Sequence, residues 1–228
     1  MSDTTTAHAP STLVHQFDDI EQQRLADTMG MWLFLATEVL LFGGLFTTFF
    51  VYRSMHHEAF IAACQTLDMV GGGINTGVLL CSSLTMALAV HAAQSADRRK
   101  LIALLLATMV LGLAFLVIKF SEYAHKYHEH HIPIRGMAFH FDGEEHGLDA
   151  AHAEETKLFY GLYFAMTGVH AAHMFIGLTI LSILLVRALR YPTTTENYMP
   201  VEISGLYWHL IDLVWIYLYP TLYLIDLH

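Results

Sequence analysis

The fold of this chain is decided by residues 29–52, which read MGMWLFLATEVLLFGGLFTTFFVY. A helix of about 20 apolar residues crosses roughly 30 Å of hydrocarbon, so this stretch predicts a transmembrane helix. Its one acidic or basic residue is Glu38, which lies roughly 15 Å along the helix from Thr28, near the middle of a bilayer. An unpaired carboxylate at that depth is costly, so we expect Glu38 to be neutral, paired or functional.

Similar apolar stretches recur along the chain, and its composition is typical of a membrane protein. Hydrophobic residues make up 55% of the 228 residues and charged residues 14%, against about 25% charged in soluble domains. The sequence therefore predicts an all-α integral membrane bundle of five transmembrane helices, at about 28–53, 69–94, 100–121, 158–187 and 203–225. We expect a polar N-terminal tail at 1–27, one membrane domain over 28–228, and an outer loop at 122–157 rich in histidine and acid.

Positive charge in short loops predicts the orientation of the bundle. Arg98, Arg99 and Lys100 join the second and third spans, and Arg187 and Arg190 follow the fourth. Because such residues favour the cytoplasm, we expect a cytoplasmic N-terminus and an external 122–157 loop. The net charge of −10 argues against binding to nucleic acid.

Small residues on the fourth span predict how helices pack. They recur on one helix face, where a neighbouring backbone can approach closely: Gly161, Ala165, Gly168 and Ala172. Gly43 and Gly44 in the first span suit the same purpose.

Sixteen histidines raise the question of a metal site. Within the spans, His170 and His173 share a helix face, and so do His209 and Asp212, where the carboxylate could orient the imidazole. Four intramembrane histidines, with His91 counted, are too few for a membrane di-iron enzyme, and copper sites need cysteines that are not placed for them. Hydrogen bonding between helices is therefore the favoured role. The alternatives are a histidine-dependent membrane metalloenzyme and a freestanding proton-coupled transporter.

The histidines of the 122–157 loop lie among acids. A solvated polar loop is the favoured interpretation, and the alternative is a zinc site formed by His128, His130 and His131.

Five motifs in order along the chain resemble subunit III of haem–copper cytochrome c oxidases. They are GMWLFLATEV at 30–39 with Phe42, NT at 75–76 with SSLTMALA at 82–89, EY at 122–123, GVHAAH at 168–173 with Gly177, and YWHLIDLVW at 207–215. The resemblance covers all five predicted spans.

The resemblance implies a subunit without a redox centre in the plasma membrane of a bacterium. Haem and copper would belong to partner subunits I and II, and this chain would pack mainly against subunit I. It would bind structural phospholipid and sustain proton uptake for the reduction of oxygen by cytochrome c. The buried glutamate of the family corresponds to Glu38, and the resemblance also implies an intramembrane polar network of Glu122, His170, His173, His209 and Asp212.

The chain departs from the family at two places, its N-terminus and its outer loop, which is longer and richer in histidine than the resemblance implies. The relatives themselves also differ at the position of Glu38. The seven-helix form has two further N-terminal helices, so we expect this chain to be the five-helix bacterial form. Its lipid cleft would then be absent, completed by another subunit or replaced by bulk lipid. Quinol-oxidase and nitric-oxide-reductase-associated relatives tend to carry Asp at the position of Glu38, so Thr37-Glu38 favours the cytochrome c branch. We expect Glu38 to hydrogen-bond a histidine of the fourth or fifth span.

Overall fold

A computed structural model describes residues 16–128, 153–191 and 198–224, and these ranges are helical throughout most of their length, with no strand. The predicted all-α class is confirmed. The helices are α1 Ile20–Met55, α2 His57–Gln65, α3 Met69–Gln94, α4 Arg98–His128, α5 Ala153–Arg190 and α6 Met199–Tyr219, after which Pro220–Leu224 form a π-helical turn.

Four of these helices, α1, α3, α4 and α5, are long and apolar enough to cross a membrane. The 21-residue α6 is not in this set, because its histidine, acids and tyrosines lower its hydropathy. By length and composition, four of the described helices can therefore cross a membrane.

Several helices extend beyond the predicted spans. Asp19 caps α1 by accepting a hydrogen bond from the Gln22 backbone N–H at 2.7 Å, so the helix begins within the predicted polar tail. The predicted loop at 122–157 is helical in its first and last residues, to His128 and from Ala153. Polar residues can continue these helices because the hydrogen bonds of a helix join backbone groups, whatever the side chains are.

The sequence interpretation missed α2, which lies in the link between the first two predicted spans. Its apolar side chains are buried, among them Phe60 and Ala63. The Phe60 ring lies 5.3 Å from that of Phe159 on α5 and 5.5 Å from that of Phe49 on α1. This short helix therefore packs over one end of the bundle.

A tight turn at 95–97 joins α3 to α4, and it contains Ala96 in the left-handed region at φ 56°. Asp97 accepts a hydrogen bond from the Lys100 backbone N–H at 3.2 Å and lies 2.9 Å from the Lys100 ammonium, which lowers the pKa of this carboxyl. Arg98 then donates to the carbonyls of Ala188 and Leu189, both at 2.8 Å. These two bonds tie the start of α4 to the end of α5.

The helices α3 to α6 meet around the indole of Trp208, which is fully buried. Its Nε1 donates to Ser82 Oγ on α3 at 2.8 Å. A Cβ atom at Gly112 on α4 would lie 2.8 Å from the indole, and one at Gly177 on α5 would lie 3.0 Å from it. Glycine at these two positions permits the close approach of α4, α5 and α6.

The predicted small-residue face of α5 does not pack within the described bundle. Ala165 and Ala172 are exposed, and a Cβ at Gly161 or Gly168 would meet no atom within 4 Å. The same holds for Gly43 and Gly44 on α1. The prediction that these residues join helices of this chain is wrong. The close contacts between the described helices are made at Gly112 and Gly177, against Trp208.

Candidate functional site

Glu38 on α1 is hydrogen-bonded to His173 on α5. The Glu38 Oε2 and His173 Nε2 atoms are 2.9 Å apart, and the two side chains are 13% and 14% exposed. The Phe42 ring covers the imidazole at a centroid distance of 5.3 Å. The pair therefore joins α1 to the rest of the bundle through a nearly buried polar contact.

The second ring nitrogen of His173 determines how many protons the pair holds. His173 Nδ1 lies 2.8 Å from the backbone carbonyl of Val169, which can only accept, so Nδ1 carries a hydrogen. The bond between Nε2 and Glu38 then has two forms. Either a protonated Glu38 donates to a neutral imidazole, or an imidazolium donates to the carboxylate. In both forms one exchangeable proton lies between the two side chains.

Glu38 and His173 line an open cleft of about 400 Å³ between α1, α5 and α6. The other lining residues are mostly apolar: Met31, Phe34, Ile176, Ile180, Ile203, Ser204 and Tyr207. The Tyr207 hydroxyl donates to the backbone carbonyl of His173 at 3.0 Å. The proton-holding pair is thus at the wall of an apolar groove.

A second polar cluster, centred on Lys119 of α4, was not predicted from the sequence. The Lys119 side chain is 2% exposed. Its ammonium donates to Glu122 Oε2 at 2.9 Å, to the Tyr163 hydroxyl at 2.9 Å and to the Tyr223 hydroxyl at 2.6 Å. Each tyrosine in turn donates to Glu122 Oε1, Tyr163 at 2.6 Å and Tyr223 at 2.7 Å. We call these four residues the Lys119 cluster.

The charged groups of the Lys119 cluster are fully hydrogen-bonded within the cluster. All three ammonium hydrogens have acceptors, and both carboxylate oxygens of Glu122 have donors. Four aromatic rings also lie 4.9–5.6 Å from the Lys119 nitrogen, those of Tyr123, Tyr163, Trp215 and Tyr223. A buried ion pair satisfied in this way connects α4, α5 and the C-terminal turn.

The remaining predicted polar residues lie at separate places. His209 Nδ1 is 2.8 Å from Ser83 Oγ on α3, whereas both oxygens of Asp212 lack a hydrogen-bond partner among the described residues. Asp212 was predicted to contact the His209 imidazole, but Ser83 makes that contact instead. His170 is buried against the rings of Phe115 and Trp215, at centroid distances of 5.5 and 5.2 Å.

Known proteins match this chain along nearly its whole length. The profile of the family described as cytochrome c oxidase subunit III matches residues 21–154 and 149–226. A cytochrome c oxidase subunit 3 from Alkalihalophilus pseudofirmus is 31% identical over 197 residues, which are 86% of this chain and 85% of that protein. The chain belongs to the cytochrome c oxidase subunit III family.

Other relatives place the family in both bacteria and animals. A quinol oxidase subunit 3 from Bacillus subtilis is 28% identical over 199 residues, 87% of each chain. A cytochrome c oxidase subunit 3 from Gadus morhua is 30% identical over 201 residues, 85% of this chain and 67% of the fish protein. This subunit III is therefore a multi-pass membrane component of a multi-subunit haem–copper oxidase.

The side chains of this subunit III offer proton-holding groups. Within the described ranges, no group of three or more histidine, cysteine, aspartate and glutamate residues is arranged to hold a metal ion. The alternative zinc site at His128, His130 and His131 lies outside the described side chains. The chemistry supported by the observed geometry is retention of a proton at Glu38–His173 and a fixed buried charge pair at Lys119–Glu122.

Sequence reasoning missed Lys119 because the third span was predicted to end at 121, which placed this residue at its edge. The i, i+3 spacing of Lys119 and Glu122 was the available signal. The two tyrosines of the cluster gave no such signal, since each is far from Lys119 in sequence. Glu38, in contrast, was detectable because a lone acid in an apolar run is rare.

Proposed function

We propose that this chain is the non-redox subunit III of a proton-pumping cytochrome c oxidase in a bacterial plasma membrane. Haem and copper belong to the partner subunits, and this chain sustains proton uptake while oxygen is reduced. The observation that carries the proposal is the Glu38–His173 pair, which holds one proton at the edge of an apolar cleft in a member of the subunit III family.

The pair suits a modulator of proton uptake better than a catalyst. A proton can move between Oε2 and Nε2 over 2.9 Å with no change in the number held. The bond from His173 Nδ1 to Val169 fixes the ring, so the imidazole stays aimed at Glu38. We infer that the packing of α1 on α5 depends on the proton shared by Glu38 and His173. We place this pair near subunit I.

The cleft beside the pair suits a phospholipid acyl chain. Its volume of about 400 Å³ and its apolar walls match a hydrocarbon tail, and α1 closes only one side of it. We infer that structural phospholipid occupies this cleft.

The five-span topology with a cytoplasmic N-terminus belongs to this proposal. At about 1.5 Å per residue, the 21 residues of α6 extend roughly 31 Å, which matches the hydrocarbon thickness. Its indoles bond α3 along their shared length, Trp208 to Ser82 and Trp215 to Thr76, so α6 lies beside a membrane-crossing helix. Arg98 joins α4 to the end of α5, which gathers the predicted cytoplasmic cations at one end.

Subunits I and II are the proposed protein partners, with subunit I as the main packing surface, and cytochrome c is the proposed electron donor of the complex. The Bacillus subtilis relative favours a second candidate, a subunit III of a quinol oxidase. The purified complex distinguishes the two, since only one donor, reduced cytochrome c or a quinol, will support oxygen consumption at full rate.

The role of Glu38 is tested by Glu38→Gln and Glu38→Ala in the complete oxidase reconstituted in lipid vesicles. The glutamine keeps a side-chain hydrogen bond to His173 but cannot release a proton, and alanine removes both. We expect an unchanged haem spectrum and initial rate in each, with faster loss of turnover over successive cycles.

Thr37→Ala is the matched control, because Thr37 is adjacent and exposed and its hydroxyl donates to the Phe34 carbonyl of its own helix, at 2.7 Å. This variant should keep the wild-type time course. An unchanged time course in both Glu38 variants would refute the proposed role of the pair.

A further inference from the structure

Asp212 is an unexplained buried acid in this subunit III. Its side chain lies on α6 and the residue is 3% exposed. Neither Oδ1 nor Oδ2 has a hydrogen-bond partner among the described residues. Because α6 packs inside the bundle, bulk water does not reach this carboxyl group either.

The unsatisfied atoms in the described part of the chain are not scattered. They number five and belong to three residues: Asn75 Oδ1, both ring nitrogens of His170, and both carboxyl oxygens of Asp212. Each residue is linked to Trp215 by a ring contact or by its position in the chain. The His170 ring lies 5.2 Å from the indole, Asn75 precedes Thr76, which accepts the indole N–H at 3.1 Å, and Asp212 is one helical turn away.

Two polar groups lie near Asp212. The Ser83 hydroxyl lies beside the carboxyl group and is 2.8 Å from His209 Nδ1. Lys119, the buried cation whose nitrogen is 5.2 Å from the Trp215 ring, has all three hydrogens bound within its own cluster. Ser83 is uncharged and Lys119 is bound elsewhere, so neither forms an ion pair with Asp212.

An unpaired buried carboxyl group is costly even when it is neutral, because its O–H and its carbonyl oxygen still lack partners. Each hydrogen bond left unmade destabilises the folded state. Natural proteins avoid it with ordered internal water, which typically makes about three hydrogen bonds to such groups. Asp212 and the neighbouring Ser83 and His209 provide the partners that such water needs.

We propose that Asp212 binds ordered water between α3 and α6, and that Ser83 and His209 connect this water to the edge of the bundle. His209 is only partly buried, so part of this residue reaches the surface of the described bundle. The site is a hydration site inside the membrane domain. It is separate from Glu38–His173, which lies on the α1 side of α5.

The direct test is a structure of the complete oxidase at a resolution where ordered water is visible. We expect a density peak within hydrogen-bonding distance of Asp212 Oδ1 or Oδ2. The Asp212→Asn variant should retain the peak, because an amide also binds water, whereas Asp212→Leu should lose it. A wild-type map with a continuous apolar contact at Asp212 and no such peak would overturn the proposal.

A second test measures access of solvent protons to Asp212. Infrared difference spectra recorded in light and heavy water should show rapid deuteration of a carboxyl band that Asp212→Asn removes. His209→Phe should slow this exchange, and His91→Phe, which alters an exposed histidine on α3, should leave it unchanged. A band that does not exchange in the wild-type protein would show a dry site. These measurements do not depend on turnover, so they are independent of the proposed role of Glu38.

Discussion

Lys119 lies inside the bundle with every hydrogen of its ammonium group bound by the protein. Burying a charge is costly unless it is paired and hydrogen-bonded, and the Lys119 cluster meets both conditions. The net contribution of such a pair relative to apolar residues is small. Loss of one partner is much more costly, because the other charge is then buried alone.

Replacement of the buried cation by an apolar side chain is predicted to destabilise the chain strongly. Lys119→Met leaves the Glu122 carboxylate, 11% exposed, without its counter-charge. We expect the free energy of unfolding to fall by about 3–5 kcal/mol, measured by denaturant unfolding in detergent micelles. The double variant Lys119→Met, Glu122→Gln should lose less than the sum of the two single changes.

The control for this prediction is Lys100→Met. Lys100 also pairs with an acid three residues away, Asp97 at 2.9 Å, but its side chain is 75% exposed. The unfolding free energy of this variant should stay near the wild-type value. Equal losses in the two lysine variants would show that burial of the Lys119 cluster has no energetic consequence.

At the scale of the helix, α5 has two faces of small residues with opposite functions. Gly177 accommodates the Trp208 indole inside the chain, whereas no atom of the described residues lies within 4 Å of a Cβ at Gly168. Small residues on a transmembrane helix permit a close contact with another helix. We therefore expect the outward face, Gly161, Ala165, Gly168 and Ala172, to pack against another subunit of the oxidase.

A pair of leucine substitutions distinguishes the two faces. Gly177→Leu should destabilise the isolated chain by about 1–3 kcal/mol through overpacking against Trp208. Gly168→Leu should leave its stability unchanged or raise it, since leucine favours helix more than glycine does. The same variant should reduce co-purification of the haem-bearing subunits with a tagged chain. Full recovery of those subunits with Gly168→Leu would exclude this face as the interface.

The existence of the helices could be predicted from the sequence, but their neighbours could not. Apolar length alone identified α1, α3, α4 and α5. The small-residue pattern identified a face of α5 that permits close contact but not its partner, because spacing along one helix contains no information about the next. For the same reason Glu38 was predicted to bond a histidine, while the choice of His173 required the packing of α1 on α5.

For the molecule as a whole, the end of α6 and the C-terminal turn stabilise one end of the bundle by contacts with other helices. Tyr223 enters the Lys119 cluster, and Tyr219 donates to the Met69 carbonyl at the start of α3, at 3.3 Å. Gly72 permits this contact, because a Cβ there would lie 2.9 Å from the Tyr219 ring. The end of α6 and the turn that follows it thus hold α3, α4 and α5 together.

Truncation of the chain tests how much the C-terminal turn contributes to thermal stability. A chain that ends at Tyr219 lacks Tyr223, so the Lys119 ammonium and Glu122 each lose a hydrogen-bond partner. We expect lower thermal stability and lower yield, measured by fluorescence-detected size-exclusion chromatography after heating. A chain that ends at Leu224 keeps every contact described here and should resemble the full-length protein. Similar melting of the two truncated chains would contradict this role for the turn.

The burial of the tryptophans gives the whole molecule an intrinsic optical reporter. Trp208 and Trp215 are fully buried and their indole N–H groups are bonded to α3, whereas the Trp32 residue on α1 is 62% exposed. Collisional quenchers dissolved in the lipid phase therefore reach one indole out of three. The quenchable fraction of the emission measures whether α1 faces lipid or is covered by a neighbouring subunit, and it does so without a label.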